Sequence, residues 1–179
     1  MKPSMVIRFV SFVLFALTLF ILPQSANAQT KSVVVTRRDY DVTIQKNGDV
    51  TIRETWATNF SGGPFTFAFR GVTLNKVDSV GSFQVSENEK AYTQNTNQAA
   101  NTFQVYQESG QQFVKWFFPP TTNQNRTFVI QYTLRGALRI YDGGDQFWWK
   151  IVEGDRSYTI QNSTITVHLP ASFPTDQIK

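Results

Sequence analysis

Residues 141–155 read YDGGDQFWWKIVEGD, two acidic turns around a tandem tryptophan. Asp142, Asp145 and Asp155, with the carbonyls of Gly143 and Gly144, offer the hard oxygen ligands that Ca²⁺ gathers in numbers of about six to eight. The spacing lacks the alternating acidic positions and closing glutamate of a calcium loop. The competing interpretation is a Gly-Gly turn initiated by aspartates that stay solvated; Asp142 and Asp145 stand as the candidate Ca²⁺ turn. If the following stretch is a strand, Phe147, Trp149 and Ile151 point one way and Trp148, Lys150 and Val152 the other. Trp149 is then a core plug. Trp148 either lies under a loop such as 89–101 or offers a flat face to a sugar ring or a partner, with Tyr141 and Trp116 as further candidate stacking residues.

Other chemistry is sparse. His168 is the sole histidine, on the outward parity of its strand between threonines, with no second imidazole for a metal and no triad partner in view. There is no cysteine, which excludes thiol nucleophiles, thiolate metal sites and redox motifs. The 13 acidic residues lie scattered on turns and strand ends. Glu54 and Glu153 are a carboxylate pair only in the sense that nothing excludes it, and glycoside hydrolysis requires two carboxylates converging in a cleft. The sequence therefore reads as non-catalytic and calls for no cofactor.

The elements that must position these residues are strands. Apolar residues alternate with period two, and no long stripe of period 3.6 occurs. Strand signals recur about every ten residues with turn residues between them, the pattern of an all-β antiparallel sandwich, immunoglobulin-like in general architecture. At the first turn, a three-residue loop Lys46-Asn47-Gly48 pairs Ile44 with Val50 and Val42 with Ile52, whereas a two-residue Asn-Gly loop sets apolar against polar side chains. Phe128, Ile130, Tyr132 and Leu134 share one face of a later strand, and Ile165, Val167 and Leu169 are expected to face inward near the end. Residues 89–101 are polar and read as a long loop.

Residues 1–28 carry Lys2 and Arg8, then the uncharged run Phe9 to Leu22, then Ala26-Asn27-Ala28. That is the order of a secretory leader, with cleavage after Ala28. Its removal leaves 151 residues, 29–179, as one extracytoplasmic domain, with 15 basic against 13 acidic residues. So small an excess does not point to nucleic acid. The chain ends directly after a strong strand, which reads as a C-terminal truncation.

The turn DYDVTIQKNGDVTIRETW, followed by TFVIQYTLRGALRIYDGGDQFWWKIV and ITVHLP in that order, resembles the bacterial domain-of-unknown-function 2207 family of predicted membrane proteins. The resemblance runs from about residue 36 to 170. Its most distinctive parts are the Asn47 to Glu54 hairpin, the Tyr132-x-x-x-Gly136 strand end and the Asp145 to Trp149 segment. It implies a signal peptide, an extracytoplasmic β-rich domain and then transmembrane segments and a low-complexity tail, and it supplies no catalytic residue. Membrane attachment of this chain is accordingly expected only through an uncleaved leader or a missing C-terminal region. The expected function is that of an exported, non-catalytic β-sandwich domain of a cell-envelope protein, mediating protein or surface interaction, with a cell-envelope protein as partner. The alternative is a carbohydrate-binding module for a cell-wall or surface glycan, using Trp148, Tyr141 or Trp116.

Overall fold

The computed structural model describes residues 30–154 and 156–178, so the expected leader and Asp155 lie outside the described residues. Two sheets make the body. In the larger, β1 (Ser32–Ile44), β2 (Val50–Ser61), β9 (Gln124–Arg135), β4 (Ser79–Glu87) and β5 (Lys90–Ala91) lie side by side in that order. The second runs β3 (Phe65–Thr73), β8 (Gln111–Thr121), β7 (Thr102–Glu108), β6 (Thr93–Gln94). The expected all-β sandwich is what forms.

Alternation sets the faces. On β9, Phe128, Ile130, Tyr132 and Leu134 are buried, with Thr127 exposed and Val129, Gln131 and Thr133 only partly so. The inner faces meet through aromatic rings. Trp56 of β2 stands edge-on to Trp116 of β8 at 5.7 Å between centroids, and Phe118 of β8 lies 5.1 Å from Phe128. Such pairs add directional attraction to the burial of large apolar area.

The first hairpin closes through the three-residue loop: Ile44 pairs with Val50 and Val42 with Ile52. The Gly48 N–H donates to Gln45 O at 3.0 Å, and Gly48 adopts φ +82°, where a side chain would be strained. Gly136, at the end of β9, has φ +66°, and a Cβ there would collide with the Asp78 carboxylate.

Three expectations change. Residues 89–101 are not a featureless loop: β5 pairs with β4 of one sheet and, two residues on, β6 pairs with β7 of the other. This crossing staples the sandwich along that flank. Second, the tandem-tryptophan segment forms only the two-residue β11 (Gln146–Phe147), paired with β10 (Leu138–Arg139); beyond Phe147 it runs irregularly. Third, the closing strand lies parallel to β1, because the chain returns by the long crossover 136–158 instead of a hairpin. Residues 159–168 follow β1 along its length, as β12 (Thr159–Ile160) and β13 (Ile165–His168), joined by backbone bonds such as Arg38 N–H to Asn162 O. Ile165 and Val167 are 50% and 48% exposed instead of inward. The reason is position: β13 lies beyond β1 at the margin of the larger sheet, paired with β1 alone among the described strands.

Candidate functional site

Charged residues occupy inward positions on three strands. Arg38 of β1 and Glu54 of β2 are fully buried, and Arg70 of β3 is nearly so. Each sits on the parity of apolar core neighbours, Tyr40 and Val42, Ile52 and Trp56, and Val72. The Glu54 carboxylate accepts five hydrogen bonds. Arg38 Nη2 and Nε donate at 2.6 and 3.1 Å, Arg70 Nε at 3.0 Å, Tyr132 OH at 2.7 Å and Trp56 Nε1 at 2.8 Å. The Arg38 guanidinium also lies over the Trp56 ring, 3.8 Å from its centroid.

A second carboxylate completes the cluster. Glu153 lies on the irregular segment after the tryptophans. Its oxygens take Arg38 Nη1 at 3.0 Å and Arg70 Nη1 at 2.9 Å, while Tyr158 OH accepts from Arg38 Nη1 at 3.0 Å. Phe147, Trp149, Ile151 and Tyr158 of the same segment pack against the core. Residues 147–154 and 156–158 are thus a strap, laid over the flank opposite the β5–β6 staple and anchored by Glu153 on one arginine from each sheet.

Two cations and two anions make the cluster neutral. Burial by itself would raise the pKa of Glu54, but Arg70 and Arg38, aided by the Tyr132 hydroxyl, bring it down to about 2 from the ordinary 4.5. Burial works against both guanidinium charges, yet Glu54 outweighs it and holds their pKa above the usual value. Burial, then Glu54, raises the Tyr132 phenol well above its usual range.

Beyond the strap the same flank opens into a cleft of about 790 Å³ between β3 and the start of β1, with Trp56, Trp116, Phe65 and Phe67 among its walls and Lys31, Arg156, Arg70 and Glu153 among its charged groups. Glu54 and Glu153 are therefore brought to one cluster through two arginines, in an arrangement that saturates Glu54 and pairs the partly exposed Glu153 with both guanidinium groups. Sequence reasoning missed Arg38, Arg70, Tyr132 and Tyr158 as its other members.

The remaining candidates lie elsewhere. Trp148 is 56% exposed, with Lys76 Nζ 3.8 Å above its ring, so its neighbour is the β3–β4 turn and not residues 89–101. Tyr141 is exposed as well. Trp116 is corrected: it is fully buried in the inter-sheet core and presents no face to solvent for stacking. The turn at 141–144 closes by the Gly144 N–H to Tyr141 O, with Asp142 and Asp145 both exposed. Among the described residues, no group of three or more carboxylate or histidine side chains could hold a metal ion. His168 Nε2 meets Asp41 Oδ1 at 2.5 Å on the exposed sheet edge.

The chain is distantly similar to parts of solved peptidase structures. A yeast LTA4 hydrolase in complex with bestatin is 12% identical, with 66% of this chain and 18% of that chain covered at a TM-score of 0.40. An M1 zinc metallopeptidase from Deinococcus radiodurans is 13% identical, covering 63% and 22% at 0.38. A protease structure described as putative, from Parabacteroides distasonis, is 8% identical, covering 57% and 23% at 0.34. The chain spans about a fifth of those proteins, and likenesses of this order carry no conclusion about its activity. No curated protein matches. Among the described residues, no helix is long and apolar enough to cross a membrane. Residues 34–178 match the family described as predicted membrane protein (DUF2207), N-terminal domain, and the chain belongs to that family.

Proposed function

We propose that the chain is a non-catalytic interaction domain of a cell-envelope protein, exported and held at the extracytoplasmic face of the membrane. The observation that carries this is the saturation of the buried cluster. Glu54 is a carboxylate down to about pH 2, and both guanidinium groups are held by carboxylates. General acid–base catalysis needs a group that titrates near the working pH, and a nucleophile needs a base beside it. Neither requirement is met by groups that already neutralise one another. The leader-like start and the family's description as a membrane protein support the placement. Purified protein is expected to show no turnover of chromogenic glycosides, esters or peptides. Reproducible turnover lost on Glu153→Gln overturns the proposal.

A second use, glycan recognition, is favoured by one observation: Trp148 and Tyr141 are 56% and 58% exposed near one turn. Trp148→Ala is expected to change unfolding stability by no more than about 0.5 kcal/mol, as for other exposed positions. On this second use it abolishes retention on cell-wall fragments and the accompanying change in tryptophan fluorescence. Unchanged retention sinks it.

A further inference from the structure

We propose that the cleft beside β3 receives an extended, acidic segment of a partner polypeptide, which adds to the free edge of β3 as a further strand. This rests on the interaction function above and names the partner's chemistry.

The ladder order leaves β3 outermost, paired on one side with β8 and, among the described residues, with no strand on the other. A free edge presents backbone N–H and C=O groups to any passing chain, and sheet proteins ordinarily guard it with charges, proline or a bulge. Here the guards are missing where they would matter. Register with β8 is regular from Phe67 to Thr73. The single charged residue in that stretch, Arg70, is turned inward and engaged by Glu54 and Glu153. Phe67 and Phe69 are 45% and 55% exposed beside it. The opposite flank of the sandwich is stapled by β5 and β6 and this one is bridged by the strap, so the two sheets stand open here only beyond the strap, where the cleft lies.

Strand addition uses a main-chain ladder for affinity and side-chain pockets for selection; the unpaired edge of β3 offers the first, and the cleft along it offers room for side chains. Its walls are aromatic. Trp116 backs these walls from the core, fully buried. Its rim is basic. Lys31 Nζ donates to Pro64 O at 2.9 Å, and Arg156 Nη1 donates to Glu153 O at 2.6 Å. Among the described residues, neither side chain forms an ion pair. Two rim cations above an electrically neutral floor favour a segment bearing carboxylates, with apolar side chains at alternate positions entering the cleft. A glycan would use the ring faces but leave the edge amides unmatched, so the backbone argues for polypeptide.

The test titrates the full chain with two end-blocked synthetic peptides of alternating sequence, one of valine and glutamate, the other of valine and lysine. Tryptophan fluorescence reads binding, and amide hydrogen exchange reads where it occurs. The acidic peptide is expected to saturate, and amides of Phe67 to Thr73 to gain protection. The Lys31→Glu, Arg156→Glu double variant, checked for an unchanged melting temperature, is expected to bind it about fivefold or more weakly at low salt, with the difference shrinking as salt is added. It should gain affinity for the lysine peptide.

Binding without protection in β3 overturns strand addition. Equal affinity for both peptides overturns the acidic specificity. If neither peptide binds while cell-wall fragments are still retained, this proposal falls and the interaction function stands. Cleavage of a bound peptide overturns the non-catalytic reading and leaves the seat beside β3 in place.

Discussion

Glu54→Gln is expected to cost about 3–5 kcal/mol of unfolding stability, because it removes the central anion while leaving two buried cations. The substitution keeps the side chain's length but only one acceptor oxygen, whereas Trp56 Nε1 and Tyr132 OH now bond to different oxygens of the carboxylate, at 2.8 and 2.7 Å. What it deletes is the charge that Arg38 and Arg70 face. Arg38 is fully buried and cannot turn to solvent, and Glu153 alone must then answer both guanidinium groups. For a chain of this size the loss corresponds to a fall of roughly 6–20 °C in melting temperature. Urea unfolding at neutral pH measures it, and a loss below about 1 kcal/mol would contradict the central role of Glu54. The cluster need not be a net source of stability: well-packed apolar replacements for a whole buried ion network are often neutral or better. Its effect is conditional. Complete, it is tolerated and fixes how three strands and the strap meet; broken, it is costly.

Acid should remove a comparable amount. The Glu54 carboxyl titrates near 2 in the folded chain and near 4.5 when solvated. Protons therefore bind the unfolded chain first as pH falls, which favours unfolding. The stabilisation is complete above about pH 4.5 and is lost between there and about pH 2, on the order of 3 kcal/mol in all. Glu87 adds in the same direction: burial raises its pKa, but hydrogen bonds from Arg126 and Tyr92 bring it below the usual value. Urea midpoints measured from pH 6 down to pH 2 should fall steeply below 4.5, and Glu54→Gln should flatten much of that slope. A wild-type midpoint unchanged down to pH 2.5 would refute this account.

Much of this was legible in advance because period two is a strict code. The parity of Phe128, Ile130, Tyr132 and Leu134 could be read directly, as could the register of the first hairpin, since only one loop length set Ile44 against Val50. The charged cluster left a signal of the same kind. Arg38 continues the inward parity of Tyr40, Val42 and Ile44, and Glu54 falls between Ile52 and Trp56. A charge on an inward position asks for a buried partner. Which partner it finds depends on how two sheets are laid face to face, and no local pattern carries that. The strap carries the signature of a strand because its alternation is real: Phe147, Trp149 and Ile151 do pack inward. Past Phe147, however, it crosses a flank where no ladder continues. Trp116 shows the opposite case: its ring type suits stacking, but it shares parity with Val114 and Phe118, a core signature, and the core is where it lies.

The parallel return along β1 has a mechanical consequence. A load applied between the residues before β1 and those after β13 pulls the two partners in opposite senses along their common axis, since Val34 pairs with Thr159 at one end and Thr43 with His168 at the other. The inter-strand bonds then lie across the pull and must fail together, whereas prying the β1–β2 hairpin apart from its open end would unzip it bond by bond. Under a load of that direction, this geometry makes the domain a stiff element. Single-molecule extension should show a higher rupture force between residues 31 and 169 than between residues 32 and 61, and equal forces would remove the inference.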